Sequence, residues 1–350
     1  MKKVSLKDIA AKVGVAPSTV SFVLNGKEKE MRISEALASR IRQVAAKAGY
    51  SPNKIAVSLR TGNSKILGLI VEDISNNFFA SLAKVIEKEA ERCGYNVVFC
   101  STENDDKKGR ELLRILSQQQ VDGFLITPTE GMLDEIASLH IQHHPIVLMD
   151  RYFSELEVPC VLADNFKGVK DGVDALTAAG YKNIGFVTIN KGLVQMRERQ
   201  DGYKASLKAA GIKYKPSLVL EVPISSLQDE MVTIISGFIN EKPEIDAIFF
   251  ATNYLGIAGL ESLKLLSKKI PDEIAVVCFD DHDIFRLYMP AITALAQPVE
   301  LIGKKAVELL VSRIRRDGEK NKNNIFRFAA KLNERESIVV AKNHLQNRYS

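Results

Sequence analysis

The chain has 350 residues, 46% of them hydrophobic and 26% charged, with 21 Gly, 11 Pro and a net charge of +5. This length points to two or three domains rather than one, and the composition excludes a collagen, a long coiled coil and a wholly disordered chain. The longest uncharged and mostly apolar run, Ala247 to Leu260, is 14 residues long and contains Thr252, Asn253 and Gly256, short of the roughly 18 a spanning helix needs.

The first residues, Met-Lys-Lys-Val-Ser-Leu-Lys-Asp, start like a signal peptide, but no apolar run follows them. The expected location is therefore the cytoplasm, with no membrane partner. The four cysteines, Cys93, Cys100, Cys160 and Cys278, form no CxxC and no metal spacing. They read as reduced thiols, and neither a metal nor a cofactor is expected. Charge is uneven along the chain. Residues 1–62 carry 12 Lys and Arg against 4 Asp and Glu, a net +8, whereas the remaining residues sum to −3. A basic head on a mildly acidic body suggests a polyanion partner for the head alone, with a solvated basic surface as the alternative on charge alone.

In that head, Ser5 is a good N-cap, with Asp8 at N3 near the positive end of the helix dipole. Leu6, Ile9, Ala10 and Val13 then recur at helical spacing, and Gly14 ends the helix. Pro17 suits the first position of a second helix. Its inner face is Val20, Val23 and Leu24, leaving Ser18, Thr19, Ser21, Phe22 and Asn25 off that face, and Asn25-Gly26 stops it. After a charged stretch, Lys27 to Arg32, Ser34 caps a third helix with a stripe of Leu37, Ile41, Val44, Ala45 and Ala48, closed by Gly49. Two short helices joined by a tight turn and braced by a third form a helix-turn-helix. The small polar side chains opening the second helix let it approach a DNA major groove closely. A small three-helix domain that binds protein is the alternative, and the local charge favours DNA.

The run from Val4 to Gly26, VSLKDIAAKVGVAPSTVSFVLNG, followed by Ala48-Gly-Tyr-Ser-Pro-Asn53, closely resembles the head of the lactose/galactose-repressor (LacI/GalR) family of bacterial transcription regulators. The resemblance implies a homodimeric repressor binding a pseudo-palindromic, double-stranded operator. It places Leu6, Pro17, Ser18, Thr19, Ser21, Phe22 and Asn25 at DNA. It also implies a hinge helix in the linker 53–64, with Asn53, Lys54, Ala56, Leu59 and Arg60 at DNA and Leu59 wedged between base pairs from the minor groove. Phe22 stands where the family usually has Arg. A phenyl ring can press on a thymine methyl but cannot read guanine bidentately, so the operator differs from the family's average. The charged loop 27–32 is longer than in many members.

From residue 65 onward, short apolar runs alternate with amphipathic ones. Strands are predicted at Ile66–Val71, Asn96–Cys100, Gly123–Ile126 and Ile146–Met149, with helices at Phe78–Cys93, Lys107–Gln118 and Met132–Ile141. The series then restarts, with strands at 184–189, 218–222, 247–251 and 274–279 and helices at about 195–210, 227–240 and 255–267. Ala90–Phe99 echoes Leu176–Phe186, each a helix end, Gly-Tyr and a strand. This order makes doubly wound parallel sheets with helices on both faces. Two similar α/β lobes imply a cleft, with a ligand site beyond the carboxyl ends of the strands. The resemblance extends over this body as a type I periplasmic-binding-protein-like fold. It implies a helix-turn-helix domain at 1–52 and a body at 65–342, with lobe one at about 65–163 plus 293–324 and lobe two at about 164–292 plus 325–342. The polar tail 343–350 has no heptads for a coiled-coil tetramer.

The strand-end rule nominates Asp73, Asn76 to Phe79, Asp150-Arg151, Asn253 and Asp280-Asp281 for the cleft. Family matching implies ligand contacts at Phe78, Phe79, Asp150, Arg199, Asn253, Asp280 and Gln297. Aromatic faces with Asp, Asn and Arg suit a sugar or sugar derivative as effector. Asn253-Tyr254 stands where the family often has Asn-Asp, and Cys278 where a glycine is frequent. His140, His143 and His144 form a weak metal-like cluster without a supporting carboxylate pattern, and no Gly-x-Gly-x-x-Gly, P-loop or Gly-x-Ser-x-Gly is present. A regulator that is not an enzyme is the expected function. A solute-binding protein of the periplasmic type is the alternative, opposed by the presence of the head.

Overall fold

The computed structural model describes residues 4–50, 62–189, 192–316 and 325–339. The chain divides at Ser64/Lys65 into two compact units. The hinge positions Asn53, Lys54, Ala56, Leu59 and Arg60 and the tail 343–350 lie outside the described residues.

In the first unit, α1 (Leu6–Val13), α2 (Pro17–Leu24) and α3 (Glu35–Lys47) enclose a core of Ile9, Ala10, Val13, Val20, Val23, Ala38, Ile41 and Ala45. Ser5 and Asp8 form a capping box: the Asp8 amide donates to Ser5 Oγ at 3.3 Å, and the Ser5 amide to Asp8 Oδ2 at 2.8 Å. The two side chains thus cap the amides at the start of α1 reciprocally. Gly14 takes φ 79° and ends α1, where a side chain would strain the backbone. The charged loop is pinned from within, because Glu28 pairs with Arg42 of α3.

The second unit has two six-stranded sheets. Lobe one begins with β1 (Ile66–Val71), α4 (Asn77–Arg92), β2 (Asn96–Ser101), α5 (Asp106–Gln118), β3 (Gly123–Ile126), α6 (Leu133–Ile141), β4 (Ile146–Met149) and β5 (Cys160–Ala163). The chain then crosses to lobe two: α7 (Asn165–Ala178), β6 (Ile184–Ile189), α8 (Val194–Ala209), β7 (Val219–Val222), α9 (Gln228–Glu241), β8 (Ala247–Phe250), α10 (Asn253–Leu265), β9 (Ala275–Phe279), α11 (Asp283–Leu287) and β10 (Thr293–Ala296). It returns with α12 (Val299–Arg315), which packs on α4, and β11 (Ile325–Phe328), and crosses again to β12 (Lys331–Asn333). The strand orders are β11-β5-β4-β3-β1-β2 and β12-β10-β9-β8-β6-β7. All pairings are parallel except β10 with β12. The central strands β3, β4, β8 and β9 are buried along their whole length, as continuous apolar runs covered on both faces should be.

Two sequence expectations need correction. Thr293–Ala296 belongs to the lobe-two sheet and Ile325–Phe328 to the lobe-one sheet, so the returns expected at 293 and 325 each fall one strand later. Strand membership is decided by the partner strand, which a local apolar run does not reveal. The two Gly-Tyr segments each join a helix end to a strand, as their echo in the sequence predicts: the edge strand β2 and the interior strand β6.

α7 and α8 pack closely because α8 has glycine at the contact. A Cβ on Gly202 would lie 2.3 Å from the Phe166 carbonyl oxygen and 3.2 Å from the Lys170 amide nitrogen. Backbone atoms cannot yield as a flexible side chain can, so Gly202→Ala should destabilise the body by about 1–3 kcal/mol, the usual cost of overpacking. Urea unfolding of the variant checks this, and an unchanged midpoint contradicts the close approach.

Candidate functional site

The first candidate surface is the opening of α2 in the head. Pro17, Ser18 and Asn25 are exposed, while Thr19, Ser21 and Phe22 are half-buried. Phe22 lies outside the hydrophobic cluster of the head, whereas Leu6 packs against it. The Asn25 amide folds back on its own helix, donating to the Ser21 carbonyl at 2.6 Å and to Ser21 Oγ at 3.2 Å. This face therefore offers small hydroxyls, one aromatic ring and an anchored amide.

The second candidate site lies between the lobes, where the carboxyl ends of the two sheets face each other. A cavity there is lined by Phe78, Phe79, Asp150, Arg199, Asp280 and Gln297, six of the seven positions that the family resemblance nominated. Asn253 instead joins lobe to lobe. Its side-chain amide exchanges hydrogen bonds with that of Asn76 at 3.1 and 3.3 Å, and it lines a neighbouring cavity. On the other rim, Arg327 of β11 grips Glu198 of α8 through two hydrogen bonds of 3.0 and 2.8 Å.

Two aspartates occupy equivalent places in the lobes. Asp150 follows β4 and Asp280 follows β9, the third strands of identically ordered sheets. Both have left-handed backbones, with φ 62° and 66°. Asp tolerates this conformation better than most residues, and such strain concentrates at functional sites. Arg199 of α8 lies beside them. Its Nε donates to Asn165 Oδ1 at 2.9 Å and its Nη1 to the Ala251 carbonyl at 2.6 Å, with Nη1 3.7 Å from Asp280 Oδ2. Its guanidinium lies 3.7 Å from the Phe279 ring centroid, a cation–π stack in a desolvated place. Gln297 donates to Asp280 Oδ1 at 2.5 Å.

Other lining groups include Glu72, Arg151, Gln195, Met196, Thr252 and Tyr254. Arg151 was nominated by its strand-end place. It is only 4% exposed, pairs with Glu72 and donates to Asn104 Oδ1 at 2.7 Å. Glu72, Gln195, Met196 and Thr252 were missed, although two signals pointed to them. Glu72 directly follows β1, and Gln195 lies one turn before Arg199 on the buried stripe of α8.

Burial governs the acids. Desolvation pushes the Asp150 carboxyl up to about 7; Arg199 opposes the rise, while Asp280 and Glu198 add to it. Burial also raises Asp280, against Arg199 and the Gln297 hydrogen bond. An acid raised in the folded state binds more protons there than in the unfolded chain, so its contribution to stability falls as pH rises. As pH rises from 4 to 8 the ligand-free body should therefore lose stability through these two groups. Asp150→Asn should flatten the decline in thermal melts across that range; an undiminished slope contradicts the assignment.

Comparison with known proteins agrees with this architecture. Residues 5–53 match the family model of bacterial regulatory proteins, lacI family, and residues 64–332 match that of periplasmic binding proteins and the sugar-binding domain of the LacI family. A ribose operon repressor of Halalkalibacterium halodurans is 29% identical over 89% of this chain and 90% of its own. A transcriptional regulator CelR–cellobiose complex has a TM-score of 0.71 at 26% identity, covering 96% of this chain and all of that one. The lac repressor dimer bound to operator and an anti-inducer has a TM-score of 0.85 at 20% identity over 97% of this chain and all of that one, a likeness of fold. With a basic helix-turn-helix head and a two-lobed body that these models cover over most of its length, the chain belongs to the LacI family of bacterial transcription regulators.

Proposed function

We propose that this protein is a cytoplasmic, non-enzymatic repressor. Two copies bind a pseudo-palindromic operator through their heads, and a carbohydrate effector occupies the cleft of each body. The observation that carries the effector half of the reading is a set of buried polar atoms on cavity-lining residues that have no hydrogen-bond partner among the described residues: Gln195 Oε1, Gln297 Oε1 and Arg151 Nε. Buried polar groups are nearly always hydrogen-bonded, so a cavity surrounded by unsatisfied ones suits a ligand rich in hydroxyls. Phe78 and Phe79, 4.9 Å apart edge to face, offer an apolar surface for a sugar ring.

For the DNA half, the support is the exposed opening of α2 on a head with a net charge of +8. Pro17, Ser18, Thr19 and Ser21 approach the groove and its phosphates, and Phe22 contacts a base edge. The linker residues Asn53, Lys54, Ala56, Leu59 and Arg60 form the second DNA contact that the family resemblance implies. The effector then acts by biasing lobe geometry, without touching DNA.

The test is a fluorescence titration of operator-like DNA at two salt concentrations, with the full chain and with a chain starting at Ser64. The full chain should bind with a steep salt dependence, and the shortened one should keep sugar binding but lose DNA. Equal DNA binding by both refutes the division of labour. Phe22→Ala should relax the preference at one base pair per half-site by about 1–3 kcal/mol with little change in salt slope; a randomised operator library reads this directly, and an unaltered preference removes Phe22 from base readout.

A further inference from the structure

We propose that the cleft selects an uncharged polyol and rejects sugar acids and sugar phosphates. This inference rests on the sugar-effector reading above and goes further, to the chemical class of the effector. Three carboxylates line the cavity, those of Glu72, Asp150 and Asp280, against two guanidiniums, those of Arg151 and Arg199. Neither cation is free to clamp an anion. Arg151 is tied to Glu72 and Asn104. Arg199 donates to Asn165 and to the Ala251 carbonyl, faces Asp280 and stacks on Phe279. Anionic ligands are usually recognised by a bidentate Arg fork, and here each guanidinium is already held in place by protein groups.

The unpartnered atoms point the same way. Gln195 is 2% exposed, and its Oε1 accepts no hydrogen bond among the described residues. The amide of Gln297 is oriented by its donation to Asp280, which leaves its Oε1 as an unpartnered acceptor. Acceptors need donors, and an ionised carboxylate or phosphate has none to give. A hydroxyl both donates and accepts. It can donate to Gln195 or Gln297 and accept from Arg151 Nε, which lies 3.6 Å from Asp150 Oδ2 without hydrogen bonding to it. An anion brought into this desolvated cavity would instead add to a lining that already carries more carboxylates than guanidiniums. The apolar side chains of Phe78, Phe79, Ile189 and Met196 complete a surface suited to C–H groups.

The experiment is calorimetric titration of the full chain at pH 7.5 with matched sets of ligands: glucose, gluconate, glucuronate and glucose 6-phosphate, and likewise ribose, ribonate and ribose 5-phosphate, extended to other aldoses and cellobiose with their acids. At least one neutral sugar should bind, and its acid and phosphate counterparts should bind at least tenfold more weakly. Gln195→Leu should weaken the neutral sugar by about tenfold. Glu72→Gln, which frees Arg151, should narrow the gap for the acid. Tighter binding of an acid or phosphate than of its neutral partner overturns the inference and leaves the sugar-effector reading intact. If no sugar of any class binds while operator DNA still does, the effector reading falls and this inference with it.

Discussion

The body is organised around a cation buried between acids. Arg199 is 2% exposed, with Asp280 on one side, Asp150 close enough to feel its charge, and the Phe279 ring beneath its plane. Removing such charges from water is expensive unless each is paired and hydrogen-bonded. The surrounding structure supplies those partners: the Ala251 carbonyl at the end of β8, Asn165 at the start of α7 and Gln297 at a lobe crossing. It also accounts for the polar stripe on α8, where Gln195, Arg199 and Ser206 lie on the buried face of a helix that a simple amphipathic pattern would turn toward solvent. The lobes are therefore held to one another by electrostatics at the cleft and by the Asn76–Asn253 and Glu198–Arg327 bridges at its rims.

Much of this was legible in the sequence because its causes are local. Ser5 with Asp8, Gly14, Pro17 and Ser34 mark the ends of the head helices by capping chemistry that acts within a few residues. The apolar runs at 66–71 and 146–149 read as buried strands because a parallel sheet covered on both faces needs no alternation. What escaped was non-local. Whether Thr293–Ala296 and Ile325–Phe328 join one sheet or the other depends on partners far away in the chain. Asn253 was expected at the ligand, yet its amide is engaged by Asn76, 177 residues earlier. Gln195 and Glu72 carry no motif. Only the helical phase of Arg199 and the strand-end position, applied one residue before Asp73, would have picked them out.

The repeated sheet order explains how one site can respond to the geometry of two lobes. Equivalent strands, β4 and β9, are each followed by an aspartate with a left-handed backbone, so each lobe delivers one such aspartate to a common cavity. Neither lobe alone encloses that cavity, whose lining alternates between the two. A ligand touching both has a different affinity for open and closed arrangements, which is the physical requirement for a population shift. On the proposed reading, the same shift changes the spacing available to paired heads, and control needs no contact between effector and DNA.

The central claim, that Asp150 and Asp280 form one electrostatic unit about Arg199, is tested most directly by a double-mutant cycle on the ligand-free protein. Unfolding free energies at pH 7.5 would be compared for the parent, Asp150→Asn, Asp280→Asn and the double variant. Asn keeps the shape and tolerates the left-handed backbone, so the cycle isolates charge. The account predicts non-additivity, a coupling of at least about 0.5 kcal/mol, because neutralising one acid relieves the other and neutralising both leaves Arg199 without a counter-charge. Additive effects, within about 0.3 kcal/mol, would mean that the two carboxylates do not share a site.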